Sequence, residues 1–179
     1  RQVFTSLKAR ADAAVVRHRA DPAAYLGTLP WIPVANGGHP TLPRIDDNMA
    51  ASGRGELQSR LQLLLGQAID CGVLYYLTDE RPYAACAADV LQSVVRGLRS
   101  IAPSSEPGNG GWLYTNDHLY ESRAVGAQVP MIYDFIAGFV REAGVSVFDL
   151  ATGSRVPFDL AEAQAVFHTY ATLAIEHGM

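Results

Sequence analysis

The densest set of chemistry-bearing side chains is the run Trp112-Leu113-Tyr114-Thr115-Asn116-Asp117-His118-Leu119-Tyr120-Glu121-Ser122-Arg123. It joins aromatic rings, an amide, an imidazole, two carboxylates and a guanidinium at a loop-to-helix junction. At helical spacing Asn116 and Tyr120 share a face, as do Asp117 and Glu121. His118 and Glu121 stand three apart, so the carboxylate can orient the imidazole and raise its basicity. Arg123 can grip a substrate carboxylate with two parallel hydrogen bonds. The same residues admit a plainer reading, with Asn116 or Asp117 as a helix cap and His118, Glu121 and Arg123 as surface groups.

A second candidate lies in the stretch from Trp31 to Arg44. Trp31, Asn36, His39 and Arg44 supply a stacking ring, an amide, an imidazole and a cation, which is what recognition of a sugar acid requires. Gly37-Gly38 allows a tight turn that would present His39. The alternative is a structural loop in which Trp31 anchors packing.

These segments depend on the elements around them. Apolar residues recur at helical spacing from about Thr5 to Leu26, from Gly55 to Leu77, from Pro82 to Ala102, from Asn116 or Asp117 through Val140, and from Leu160 to His177. That gives about five helices and almost no strand. Pro130 predicts a kink by removing the bond to Gly126. Thr78 to Arg81 forms a short turn, so the second and third helices make an antiparallel hairpin, with Pro82 at its start. Two proline- and glycine-rich loops, Thr28–Arg54 and Pro103–Thr115, precede the second and fourth helices and so belong at the same end. Val145 to Phe158 reads as a short hairpin or a loop. Asp134 lies on an otherwise apolar face and is expected to be buried and bonded. His168 and Tyr170 read as a mixed face and a core aromatic. Cys71 and Cys86 sit at comparable heights in the hairpin, either as buried thiols or as a disulfide.

The chain has 179 residues, 14 basic and 18 acidic, for a net charge of −4. That balance argues against nucleic acid, because no basic stripe is present to displace counterions. The longest apolar stretch, Leu61–Leu77, is broken by Gln62, Gln67, Asp70 and two glycines, so no membrane span is expected. Charged residues make up 18 % of the chain, below the roughly 25 % usual for soluble domains. The broad apolar faces then suggest an excerpt of a longer chain, with part of their cover supplied from outside it. No zinc-spaced Cys/His cluster, Walker loop, GxSxG elbow, HExxH or dinucleotide fingerprint occurs, so neither metal nor cofactor is expected.

The run Leu77-Thr78-Asp79-Glu80-Arg81-Pro82-Tyr83-Ala84, after the helix ending at Tyr76, resembles the Y-x-L-T-G-D-x-x-Y-A hairpin of alginate- and heparinase-type polysaccharide lyases. The stretch from Ser122-Arg123-Ala124 to Ile132-Tyr133-Asp134-Phe135 resembles the helix ending in A-Y-D of the same heparinase II/III-like group. Together they span roughly Arg54 to Val140. The pattern departs at Glu80, where Gly-Asp is usual, and at Val145–Phe158.

The resemblance implies an all-α fold in which helical hairpins form part of an incomplete (α/α) toroid with long cleft-forming loops. Residues 1–179 would be the N-terminal segment of one toroid domain, completed by C-terminal toroid helices and a β-sheet domain of the same polypeptide. It implies β-elimination on a uronic-acid polysaccharide or oligosaccharide, in the periplasm or outside the cell. One group neutralises the sugar carboxylate, a Tyr or His removes the adjacent proton, and a Tyr protonates the leaving oxygen. The family's neutralising Asn-His pair follows the A-Y-D helix. No such pair lies between Tyr133 and Met179, so the principal catalytic residues are expected outside this chain. Asn116 and Tyr120 then become substrate contacts, with His118, Glu121 and Arg123 beside them and Trp31, His39 and Arg44 from the other loop. Two alternatives remain: a toroid glycoside hydrolase, needing two carboxylates across a cleft, and a non-enzymatic helical module that binds a partner.

Overall fold

A computed structural model of the chain describes residues 2–34, 38–46, 49, 51–103, 111–115 and 117–177, without the side chains of 51 and 177. The first helix, α1, spans Gln2–Ala20 and buries Ala11, Ala14, Val15 and His18. It does not run on to Leu26 as the periodicity suggested. Asp21 takes an extended backbone, accepts a hydrogen bond from the Ala24 amide at 2.9 Å, and starts a separate helix α2, Pro22–Leu26. Pro22 favours this restart, since its missing N–H is not needed in a first turn.

Helix α3, Ala51–Thr78, and helix α4, Arg81–Arg99, form the expected hairpin. The turn between them rests on Asp79, the one described non-glycine residue with positive φ, at 59°. Its amide closes α3 on the Tyr75 carbonyl at 2.7 Å. This is the left-handed position that commonly ends a helix and favours glycine.

Helix α4 is the centre of the molecule. Fourteen of its nineteen residues are buried, and α1, α3, the helices Gln128–Val140 and Leu160–His177 and the strand Ser146–Asp149 all pack on it. Its apolar face is therefore covered within this chain. Each of Val90, Leu91, Val94 and Leu98 is fully buried, and burial of such a side chain contributes about 1.5–3 kcal/mol. Helix α3 is less completely enclosed, with Leu63, Tyr76 and Leu77 more than half exposed. Cys71 and Cys86 are free buried thiols.

A short helix α5, His118–Glu121, runs through a π-helical segment, Ser122–Gly126, into α6, Gln128–Val140. The break thus falls one turn before Pro130 rather than at it. The Ala127 amide reaches back five residues to Ser122 at 2.9 Å, widening the helix just ahead of the position where Pro130 could not donate. Helix α6 approaches α3 at Gly72, where a Cβ would lie 3.0 Å from that of Phe135. Asp134 is exposed on α6, which corrects the expectation of a buried, bonded carboxylate: it lies on the face turned from α3 and α4.

Residues 146–157 form a hairpin, so the described residues are mostly helical with one small sheet. Strand β1, Ser146–Asp149, pairs antiparallel with β2, Ser154–Pro157, in the register Ser146↔Pro157 to Asp149↔Ser154. The last helix, α7, spans Leu160–His177 as expected. The Asp159 side chain caps it by accepting from the Glu162 amide at 2.9 Å.

Candidate functional site

The two loops singled out in the sequence meet. The Ile45 amide donates to the Leu113 carbonyl at 2.8 Å, and the Thr115 amide donates to the Ile45 carbonyl at 3.0 Å. Each loop is also pinned to the end of α4. The Trp112 indole donates to the Ile101 carbonyl at 2.6 Å, and the Arg44 guanidinium to that of Ala102. The Trp31 indole bonds the Leu26 carbonyl at 2.9 Å. Its ring lies against Gly97, where a Cβ would come within 2.8 Å of it. Trp31 is thus the packing anchor of its loop.

Around Tyr120 the structure gathers several predicted residues. Asp117 caps α5 by accepting from the Tyr120 amide at 2.9 Å, and lies 3.5 Å from the Arg54 guanidinium. The half-buried Tyr120 ring packs on Tyr114, centroids 4.9 Å apart. Tyr114 is fully buried, and its hydroxyl has no partner among the described residues. Burial, reinforced by Tyr120 and Glu121, pushes the Tyr114 hydroxyl well above its ordinary pKa, so it keeps its proton. His118 is half-buried, and Arg123 is exposed with its Nε bonded to the Leu119 carbonyl at 3.1 Å. Asn116 and Asn36 lie outside the described residues.

Glu121 differs most from expectation. Its side chain is fully buried, and its carboxylate turns inward rather than toward His118. One oxygen accepts from the amides of Leu113 and Tyr114 at 2.8 and 2.6 Å, the other from the Tyr170 hydroxyl at 2.5 Å. Burial pushes its pKa up, while these bonds hold it back. Gly111 permits the cradle: a Cβ there would lie 2.7 Å from the Tyr114 carbonyl oxygen and 2.8 Å from Glu121 Cβ. Sequence reasoning missed both Tyr170 and Gly111 as supports. The glycine pair before Trp112 was the available signal for a tight turn.

His39 is also largely enclosed. Its Nδ1–H donates to its neighbour, the Pro40 carbonyl, at 2.8 Å, while Nε2 lies 3.9 Å from Asp149 and has no hydrogen-bond partner among the described residues. Burial lowers its pKa, favouring the neutral ring. It stands edge-on to Trp31, centroids 6.0 Å apart. A groove of about 430 Å³ runs between this loop and the start of α3, walled by Pro30, Ile32, Pro43, Met49 and Leu57. None of the seven predicted site residues among the described residues lines it.

The result is a double-loop surface at one end of a helical assembly, cross-linked by hydrogen bonds and offering a tyrosine ring, an imidazole and arginines. Groups of these types are capable of ring stacking and charge pairing. Among the described residues no group of three His, Cys, Asp or Glu side chains could hold a metal ion. No helix among them is long and apolar enough to cross a membrane.

Sequence comparison bears on what such a surface serves. The chain is 28 % identical over 153 residues to an endo-acting ulvan lyase of Formosa agariphila. The match covers 86 % of this chain and 16 % of that enzyme. No protein-family profile matches the chain, and no solved structure matches it. The similarity supports a relationship to polysaccharide lyases, without support for the heparinase or alginate lyase group in particular.

Proposed function

We propose that this chain is the helical, substrate-binding portion of a polysaccharide lyase that cleaves a uronic-acid-containing anionic polysaccharide by β-elimination. The observation that carries the reading is the similarity to an ulvan lyase along most of the chain. The meeting of the two loops through Ile45, Leu113 and Thr115 supports it, because one wall of a saccharide cleft needs a fixed surface.

The helical hairpins form part of an (α/α) toroid, completed by further helices and a β-sheet domain of the same polypeptide. The protein works in the periplasm or outside the cell, where such polymers occur. Asn116, His118, Tyr120 and Arg123 contact substrate, and Arg44 lies on the adjoining loop. Trp31, His39 and Glu121 hold the surface in place. The groups that neutralise the uronate and move its protons belong to the remainder of the protein. The glycoside hydrolase alternative needs two carboxylates across a cleft, and Asp117 and Glu121 are too close in the chain to supply both, with Glu121 fully engaged inside.

The test is to incubate the full-length protein with ulvan, alginate and heparan sulfate and follow the absorbance of the unsaturated product. Turnover of at least one is expected. Tyr120→Ala should raise KM about tenfold, the equivalent of about 1.4 kcal/mol, with the fold intact. No product from any uronate polymer would refute the lyase reading, and unchanged kinetics in the variant would refute the assignment of Tyr120.

A further inference from the structure

A concavity of about 540 Å³ opens where the end of α1 faces the start of α4, the end of α6 and the hairpin. His18, Arg19, Arg81 and Arg155 line it, and no residue of the Trp31–Arg44 or Trp112–Arg123 segments does. Its positive charge is only partly answered within the protein. Arg81 pairs with Glu142 at 2.7 Å, and Arg155 pairs with Asp89 at 3.1 Å. Arg19 is exposed and makes no hydrogen bond or ion pair among the described residues.

His18, by contrast, is 2 % exposed. Its Nε2 meets Asp89 at 2.7 Å, while Nδ1 has no partner among the described residues. Asp89 itself is saturated, since it also accepts from the Phe148 amide at 2.9 Å and from both terminal nitrogens of Arg155. The pocket therefore has a fixed cationic wall with spare donors. Pro22, Pro82 and Phe139 add apolar surface, with the Arg81 guanidinium 4.9 Å from the Phe139 ring centroid.

We propose that this pocket binds an oxyanion carried on a saccharide, a carboxylate or a sulfate ester, with Arg19 as its principal contact and His18, Arg81 and Arg155 completing the cationic wall. Guanidinium groups suit both anions, because their planar forks match paired oxygens. The apolar residues suit the less polar face of a pyranose ring. The choice of a saccharide rests on the lyase reading, whereas the anion site stands on the pocket alone.

The experiment is site-resolved modification of arginines in the full-length protein by phenylglyoxal, quantified peptide by peptide by mass spectrometry. Sulfate, glucuronate and neutral glucose are compared, with the exposed Arg99 of α4 as internal control. Sulfate or glucuronate should slow modification of Arg19 as mass action dictates, about tenfold at ten times Kd, and leave Arg99 unchanged. Protection by sulfate alone assigns the site to a sulfate ester, and by glucuronate alone to a carboxylate. Three results would overturn the proposal: no protection by either anion, equal protection by glucose, or an Arg19 already unreactive without ligand because other parts of the protein fill the pocket. The readout involves no turnover. A protein that protects Arg19 but cleaves no uronate polymer refutes only the lyase reading, and the reverse refutes only the pocket.

Discussion

Glu121 is the residue on which the Tyr114–Tyr120 surface rests. Its carboxylate ties the backbone of the Gly111–Tyr114 turn to the hydroxyl of Tyr170 on α7, so one side chain joins three parts of the chain. A buried donor left without its acceptor costs about 1–3 kcal/mol. Glu121→Ala strands two amides and a hydroxyl, and is expected to lower the unfolding free energy by about 3–5 kcal/mol. Glu121→Gln keeps one acceptor oxygen and should cost less. Urea denaturation of the two variants checks the order, and an alanine variant within about 1 kcal/mol of the parent would show that the cradle does not hold the loop. The sequence placed Glu121 beside His118 because three-residue spacing on a helix is visible in one dimension. Its actual partner Tyr170 lies 49 residues away. Only the fold brings the two together, so no local pattern could reveal that the carboxylate faces inward.

Among the elements, the α3–α4 hairpin was legible and its turn was placed to within a residue, because wide apolar faces and Pro82 mark both helices, while its outer ends lie about four and three residues from the expected ones. The helix ends were less legible. Asp21 and Pro22 divide what periodicity alone joins, and a π-helical segment takes up the distortion that Pro130 was expected to cause in place. Asp79 is the instructive case. The backbone at Asp79 is left-handed, at φ 59°, although the residue is not glycine. An L side chain is strained in that region, and a carboxylate at a helix C-terminus also opposes the macrodipole. Asp79→Gly should therefore stabilise the protein by about 0.5–1 kcal/mol. Asp79→Ala, which keeps a Cβ, should gain less. A thermal melt in which glycine brings no rise in Tm over alanine would contradict the left-handed turn.

For the whole molecule, the position of both long loops at one end was readable from the alternation of short and long connections. The central place of α4 was not, because apolar width does not say whose side chains cover it. Nor was the polar stitching across the outer elements, where the hairpin is held by Asp89 through Arg155 and the Phe148 amide. Two histidines in this stitching, the buried His18 and the half-buried His39, have their pKa shifted in opposite directions. For His18, burial opposes the charged ring, but the hydrogen bond to Asp89 and the nearby Cys86 outweigh it, even against Arg155, so its pKa rises above 6.5. Asp89 and Cys86 of α4, Arg155 of β2 and the Tyr25 ring of α2 all face it. A raised pKa means that its stabilisation is complete below about pH 6.5 and fades as pH climbs through the folded value. His39 is lowered, chiefly by burial, among Asp149, Arg96 and Glu162. Its contribution is complete above about pH 6.5 and fades as pH falls through its folded value. Urea midpoints from about pH 5 to about pH 8.5 should separate the two. The gap between parent and His18→Gln should be widest on the acid side and close toward high pH. The gap for His39→Gln should be widest on the alkaline side and close toward low pH. Curves that stay parallel to the parent throughout would mean that neither ring is held in the protonation state its surroundings dictate.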